Sequence, residues 1–195
     1  MKKLYLALLA CATLGNSFHA AAETHHTVSL GYAQSERVKD EGNPFTPKGV
    51  NVKYRYEWDS PVSVISSLTY LSSKTSSQTA TFSYIDINNA HTKLFNFSVG
   101  PAYRFNEFVS LYGLVGMNYT QIKSQGYEQN RQDKTLTHSY HDSEKSANML
   151  FGAGLQFNPR QDMAIDIGYE GIRYKATGEK SNILNTFNIG IGYRF

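Results

Sequence analysis

The chain has 195 residues, with 19 Lys and Arg against 16 Asp and Glu, a formal charge of +3. That length sets one domain, and the near balance of charge argues against a nucleic-acid partner. A mean hydropathy of −0.42 would by itself place the chain among soluble proteins. Fourteen Tyr, eleven Phe and fifteen Gly, spread in short even runs, point instead to many strands.

The N-terminus is built for export. Lys2 and Lys3 precede an apolar run from Leu4 to Leu14, and Ala20-Ala21-Ala22 offers a small-residue cleavage site. Together they predict a signal peptide over 1–22 and a mature domain over 23–195. The apolar run is well short of the ~20 residues a spanning helix needs. Leu8-Leu9-Ala10-Cys11 resembles a lipidation site, but cleavage there would leave too short a leader. Cys11 is the only cysteine, so the mature domain has no disulfide and no thiolate chemistry. Loss of Lys2 and Lys3 lowers the charge to about +1.

Beyond the leader no stretch is apolar enough for a membrane helix, and the dominant period is two. Val28, Leu30 and Tyr32 alternate with Ser29, Gly31 and Ala33. Val50, Val52, Tyr54, Tyr56 and Trp58 alternate with Asn51, Lys53, Arg55 and Glu57. The pattern returns at Phe95–Phe105, Met149–Phe157, Met163–Glu170 and Phe187–Phe195. Segments 62–72 and 109–122 are strand-like without a clear facing. This makes about eight strands, an even number as bacterial barrels require. A soluble barrel would turn its apolar face inward. Here the opposite face carries small and charged residues suited to a narrow interior, and the aromatic and aliphatic face suits lipid. Asn96 and other polar-face positions should therefore tolerate charge better than Phe97 and its kind.

The connections fall into two classes. Those at 59–61, 106–107 and 158–162 are short and turn-like. Those at 35–47, 73–91, 123–146 and 173–182 are long and polar, as expected of external loops. Within 73–91, Phe82, Tyr84, Ile85 and Ile87 alternate roughly by two, which suits a strand pair rising above the membrane with an edge open to a partner.

The polar face repeats Lys53, Arg55, Glu57, Arg104, Asp166, Glu170 and Arg194. These could line a pore, but both signs occur, and an eight-stranded barrel is filled by its side chains, so an interior network of paired charges is favoured. An enzyme would need a base beside a nucleophile. His25 and His26 lie at the chain start, His91 at a strand rim and His138 and His141 in a polar segment; none marks a catalytic pair, and no cofactor or metal is expected. The candidate ligand contacts are in the outer segments: Phe82, Tyr84, Tyr127, Arg131 and Tyr140 as amphipathic or charged contacts, and Arg173, Lys175 and Lys180 as a basic rim for the phosphates of lipopolysaccharide or a sulfated glycan.

Several segments resemble the Ail/Lom/OmpX family of enterobacterial outer-membrane proteins. These are Val28-Ser29-Leu30-Gly31-Tyr32-Ala33-Gln34-Ser35, the run from Gly49 to Glu57, Val109-Ser110-Leu111-Tyr112-Gly113-Leu114, Gly152 to Pro159 and the closing Gly190-Ile191-Gly192-Tyr193-Arg194-Phe195. Ser60 to Leu68 looks most like the PagC branch. The resemblance implies an all-β fold, an eight-stranded antiparallel transmembrane barrel in the Gram-negative outer membrane with no open pore. It also implies a virulence-associated role through extracellular loops: host-cell adhesion and invasion, resistance to serum complement, or intracellular survival. The partners implied are outer-membrane lipid and lipopolysaccharide, with host-cell surface, extracellular-matrix or complement-regulatory proteins, met by a monomer. A structural or stress-related barrel without a dedicated ligand is the alternative reading, and a lipid-A-modifying enzyme is the third.

Overall fold

The computed structural model describes residues 24–37, 45–80, 84–130, 136–175 and 181–195. The expected signal peptide lies outside them, as do Phe82, Arg131 and Lys180. Eight strands follow in chain order: β1 His25–Ser35, β2 Lys48–Glu57, β3 Val62–Ala80, β4 Tyr84–Arg104, β5 Val109–Asn130, β6 Leu136–Arg160, β7 Met163–Lys175 and β8 Ser181–Arg194. Each pairs antiparallel with the next, and β8 pairs with β1, closing a barrel. Closure leaves the membrane-crossing part with no unpaired edge, which lipid would not tolerate.

The alternation puts apolar side chains outside. Leu30, Val52, Leu68, Phe97, Val115, Met117, Ile189 and Ile191 are exposed on the outer wall. Aromatic residues ring both ends. Tyr32, Tyr70, Phe95 and Tyr119 mark the upper level, and Tyr56, Trp58, Tyr103, Phe105, Tyr193 and Phe195 the lower. These are the girdles expected at the two interfaces. At the lower end His26 stacks on Phe195 at 5.6 Å, and its Nδ1 lies 2.8 Å from the Tyr54 hydroxyl. The two N-terminal histidines therefore belong to β1, and His26 ties the first strand to Phe195 at the end of the last.

Facing at 62–72 and 109–122 is now resolved. Ser63, Ile65, Ser67, Thr69 and Leu71 point inward, and so do Ser110, Tyr112, Leu114 and Asn118. The Tyr112 ring lies across Gly154 and Gly168, where a Cβ at either position would collide with its hydroxyl end.

The long segments at 73–91 and 123–146 are not loops. Strands β3 and β4 stay paired up to Ala80 and Ile85, and β5 and β6 up to Gln129 and Leu136. The connections shrink to 81–83 and 131–135. Ser, Thr and Asn make these segments look like coil, yet each strand is laddered to a neighbour within β3 to β6, and the period of two persists. Likewise β6 runs to Arg160, so the lower turn there is 161–162. Because β2 ends its pairing with β3 at Ser72, and β7 its pairing with β6 at Met149, β3 to β6 continue as a four-stranded extension. Residues 73–80 alone extend it by about 25 Å along the strand.

Candidate functional site

Three layers stack inside and around the barrel. The lowest is the polar interior. Glu57 is its hub, 4% exposed. Its carboxylate faces Arg55 at 2.9 Å, Arg194 at 2.9 Å, and Arg104. Arg55 also donates to Ser63 at 2.9 Å and Gln156 at 2.6 Å. Higher up, the Lys53 ammonium pairs with Asp166 and donates to Asn188 at 2.6 Å. Asp166 accepts from the Tyr112 hydroxyl at 2.9 Å. Glu170 has no cationic partner among the described residues. It accepts from Ser67, Thr69 and Asn96 at 3.1, 2.9 and 2.7 Å, and Asn118 continues the chain onto Asn96 at 2.7 Å. The seven charged positions on the polar face thus point into the lumen in three bonded groups, around Glu57, Asp166 and Glu170. An eight-stranded barrel is just wide enough for such side chains to fill it.

The second layer is apolar. Ala33, Leu71, Leu94, Leu150, Ile172 and Leu184 form a buried cluster across the lumen, with Tyr174 packed against it. It separates the charged interior from the extracellular mouth.

The third layer lies on the outer wall, just above the upper aromatic level. The register places Lys48, Ser72, Lys93, Gln121 and Lys145 side by side across β2 to β6. The next row up holds Lys74, His91, Lys123 and Ser143. Five lysines and one histidine fill two rows that contain no carboxylate. Opposed side chains in such rows lie about 5 Å apart, so the lysines form a single basic collar. Partial burial, then the charges of Lys93, Lys74 and Lys123, hold the His91 imidazole below its ordinary value. The lysines carry the positive field of the collar. The His91 Nε2 lies 3.2 Å from the Ser72 hydroxyl.

Sequence reasoning missed this collar because it averaged 123–146 as a nearly neutral loop. As strand, the segment sorts its charges by parity: Lys123 and Lys145 outside, Asp142 and Glu144 inside. The signal lies two and four residues beyond Tyr70, Phe95 and Tyr119 on the same face.

The expected contact residues are scattered. Tyr127 is half-buried in β5, paired with Ile87 and Ser139. Arg173 is exposed on β7, opposite Met149 and Ile183. Ser139 and Met149 are ten residues apart on β6, roughly 33 Å along the strand, so Tyr127 and Arg173 share no site. Tyr84 pairs with Asn130, Tyr140 with Gly126 and Lys175 with Ser181, each on a different ladder. Among the described residues no three His, Cys, Asp or Glu side chains group as metal ligands.

The model of the enterobacterial Ail/Lom proteins matches residues 1–195. The virulence membrane protein PagC of Salmonella typhimurium is 38% identical over 199 residues, covering the whole of both chains. Outer membrane protein X of Escherichia coli is 35% identical over 196 residues, again with both chains fully covered. Among solved structures, Ail of Yersinia pestis superposes with a TM-score of 0.66 at 31% identity, covering 89% of this chain and 99% of that one. Full coverage at this identity, the closed eight-stranded barrel and its two aromatic girdles agree: the chain belongs to the enterobacterial Ail/Lom family and is a virulence-associated barrel of the outer membrane.

Proposed function

We propose that this barrel acts without catalysis, as a monomeric adhesin or serum-resistance factor whose working surface is the four-stranded extension and the collar at its base. The observation that carries the reading is the collar: five lysines in two adjacent rows, with no carboxylate among them, directly above the membrane level. Clustered phosphate or sulfate is the chemistry it recognises. Ail of Yersinia pestis was crystallised with the heparin analogue sucrose octasulfate, an oligosulfated ligand of this kind. Lipopolysaccharide phosphates would hold the base of the extension, and a sulfated host glycan would compete for the same lysines. The extension above also has two free edges, at 73–80 on β3 and 137–148 on β6, either able to pair with an extended segment of a host protein. The filled interior supports a role other than transport. Of the candidate contacts, Tyr84, Tyr127 and Tyr140 would act as separate points on the extension, with Arg173 and Lys175 on β7 beside it.

The test is expression in a non-adherent laboratory strain, with adhesion, invasion and serum survival scored for the wild type and a Lys74, Lys93, Lys123 and Lys145 to Gln variant. Each lysine near an anionic surface contributes about 1 kcal/mol, so loss of four should lower binding to lipopolysaccharide vesicles or heparin beads on the order of a thousandfold. Loss on vesicles alone assigns the collar to the cell's own lipid. Loss on heparin together with reduced adhesion assigns it to the host. Unchanged binding on both rejects the collar. In the same preparations the mass of the outer-membrane form should begin at or within about two residues of Glu23. A retained Met1 or a lipidated Cys11 would refute the leader reading.

A further inference from the structure

The barrel interior does not end at the apolar partition. A cavity of about 320 Å³ opens above it at the extracellular mouth. Leu94, Ile172 and Leu184, all buried, are its floor. Ile122 and Tyr174 stand as walls. Phe45 closes one side, on a segment pinned by the hydrogen bond from the Ser35 amide to the Pro47 carbonyl, 2.9 Å. The floor residues belong to the packed cluster and are rigidly supported, so the cavity exists before any ligand arrives.

One charge lines it. Glu144 faces the cavity opposite Ile122 in the register, and among the described residues it has neither an ion pair nor a side-chain hydrogen bond. The collar lysines cannot neutralise it at contact, because Lys123 and Lys145 point to the opposite face of the same strands. A cavity of this size lies at the small end of ligand sites, which combine apolar walls with one or two placed polar groups. An anion would meet Glu144 with like charge. A neutral molecule would gain nothing from the carboxylate, which is exposed at the rim and keeps its water. A small apolar body with one positive charge satisfies both walls and rim.

We propose that the extracellular cup is a binding site for a small monoamine with an aromatic or short aliphatic body, its ammonium paired with Glu144 and its body on Leu94, Ile172 and Leu184. This site is independent of the collar, which lies on the other face of the sheet.

The test uses the protein from outer membranes in phosphatidylcholine nanodiscs, whose zwitterionic lipid does not concentrate amines. Phenethylamine, 2-phenylethanol and 3-phenylpropionate are titrated in turn while methyl resonances of Ile122, Ile172 and Leu184 are followed. The amine should bind saturably and shift these methyls, the alcohol should bind about tenfold more weakly, and the acid should not bind. Glu144→Gln should remove the tenfold preference for amine over alcohol while leaving the alcohol unchanged. Glu144 lies above the membrane-crossing part, so this variant should keep the heat-modifiable migration of a folded barrel. Thr92→Phe, which fills the cup from one wall, should abolish both. Equal binding of amine and alcohol in the wild type, a preference that survives Glu144→Gln, or shifts confined to lipid-facing methyls would each overturn the proposal.

Discussion

Glu57→Gln lowers the stability of the folded barrel by about 3–5 kcal/mol, the cost of leaving buried charge without its partner. The substitution keeps the shape and a hydrogen-bonding amide but removes the one negative charge shared by Arg55, Arg104 and Arg194. Arg55 is 1% exposed and has no other carboxylate in contact among the described residues. Arg104 and Arg194 are nearer the periplasmic end and retain some access to water, so the penalty falls mainly on Arg55 and on the mutual repulsion of the three. Urea unfolding in phospholipid, read by the fluorescence of Trp58, the chain's single tryptophan, measures the loss. Arg104→Gln in the Glu57→Gln background should recover part of it, because a like charge leaves the cluster. A loss under about 1 kcal/mol, with no recovery in the double variant, would show that the three guanidinium groups do not depend on Glu57.

The same hub explains how far the sequence could be read. Residues 50–58 alternate without a fault, because every inward position there is polar and every outward one apolar. That run alone predicts which side faces lipid. At 62–72 the rule breaks, since Ile65 and Leu71 point inward while Ser66 points outward. Ile65 packs with Ala102, Tyr112 and Leu114, and Leu71 with the partition. These apolar plugs divide the polar lumen, and a period-two reading cannot tell a lumenal Leu from a lipid-facing one. Tyr112 misleads in the same way, because its ring needs the glycine floor at Gly154 and Gly168 on two other strands. The collar was unreadable for a different reason: its lysines lie on five strands, and only the register brings them into two rows. Glu144 and Lys145 are neighbours in sequence but belong to opposite faces of one sheet, one facing the cup and the other the outer wall.

Arginine scanned along the outer face of β5 should draw the membrane's depth profile. Val115, 67% exposed, lies midway between the two aromatic levels, opposite Val99 and Phe151. Val115→Arg should cost about 2–4 kcal/mol in bilayers, the penalty for a cation at the lipid-facing midplane. Met117→Arg, one outward step higher, should cost less. Tyr119→Arg, at the upper girdle, should cost about 0–1 kcal/mol for the charge, because the guanidinium can reach the interface. Lys123→Arg, in the collar, should be neutral within about 0.5 kcal/mol, as surface exchanges usually are. The inward residue Asn96 is no control for this series. It is buried against Glu170 and Asn118, so an arginine there meets a filled interior and adds a packing cost that has nothing to do with membrane depth. The same four variants in detergent micelles should show a weaker gradient, since a micelle lets water and headgroups reach the midplane. A flat profile in bilayers, or a maximum at Tyr119, would mean that the hydrocarbon lies at a different height on the barrel and that the collar does not sit at its upper boundary.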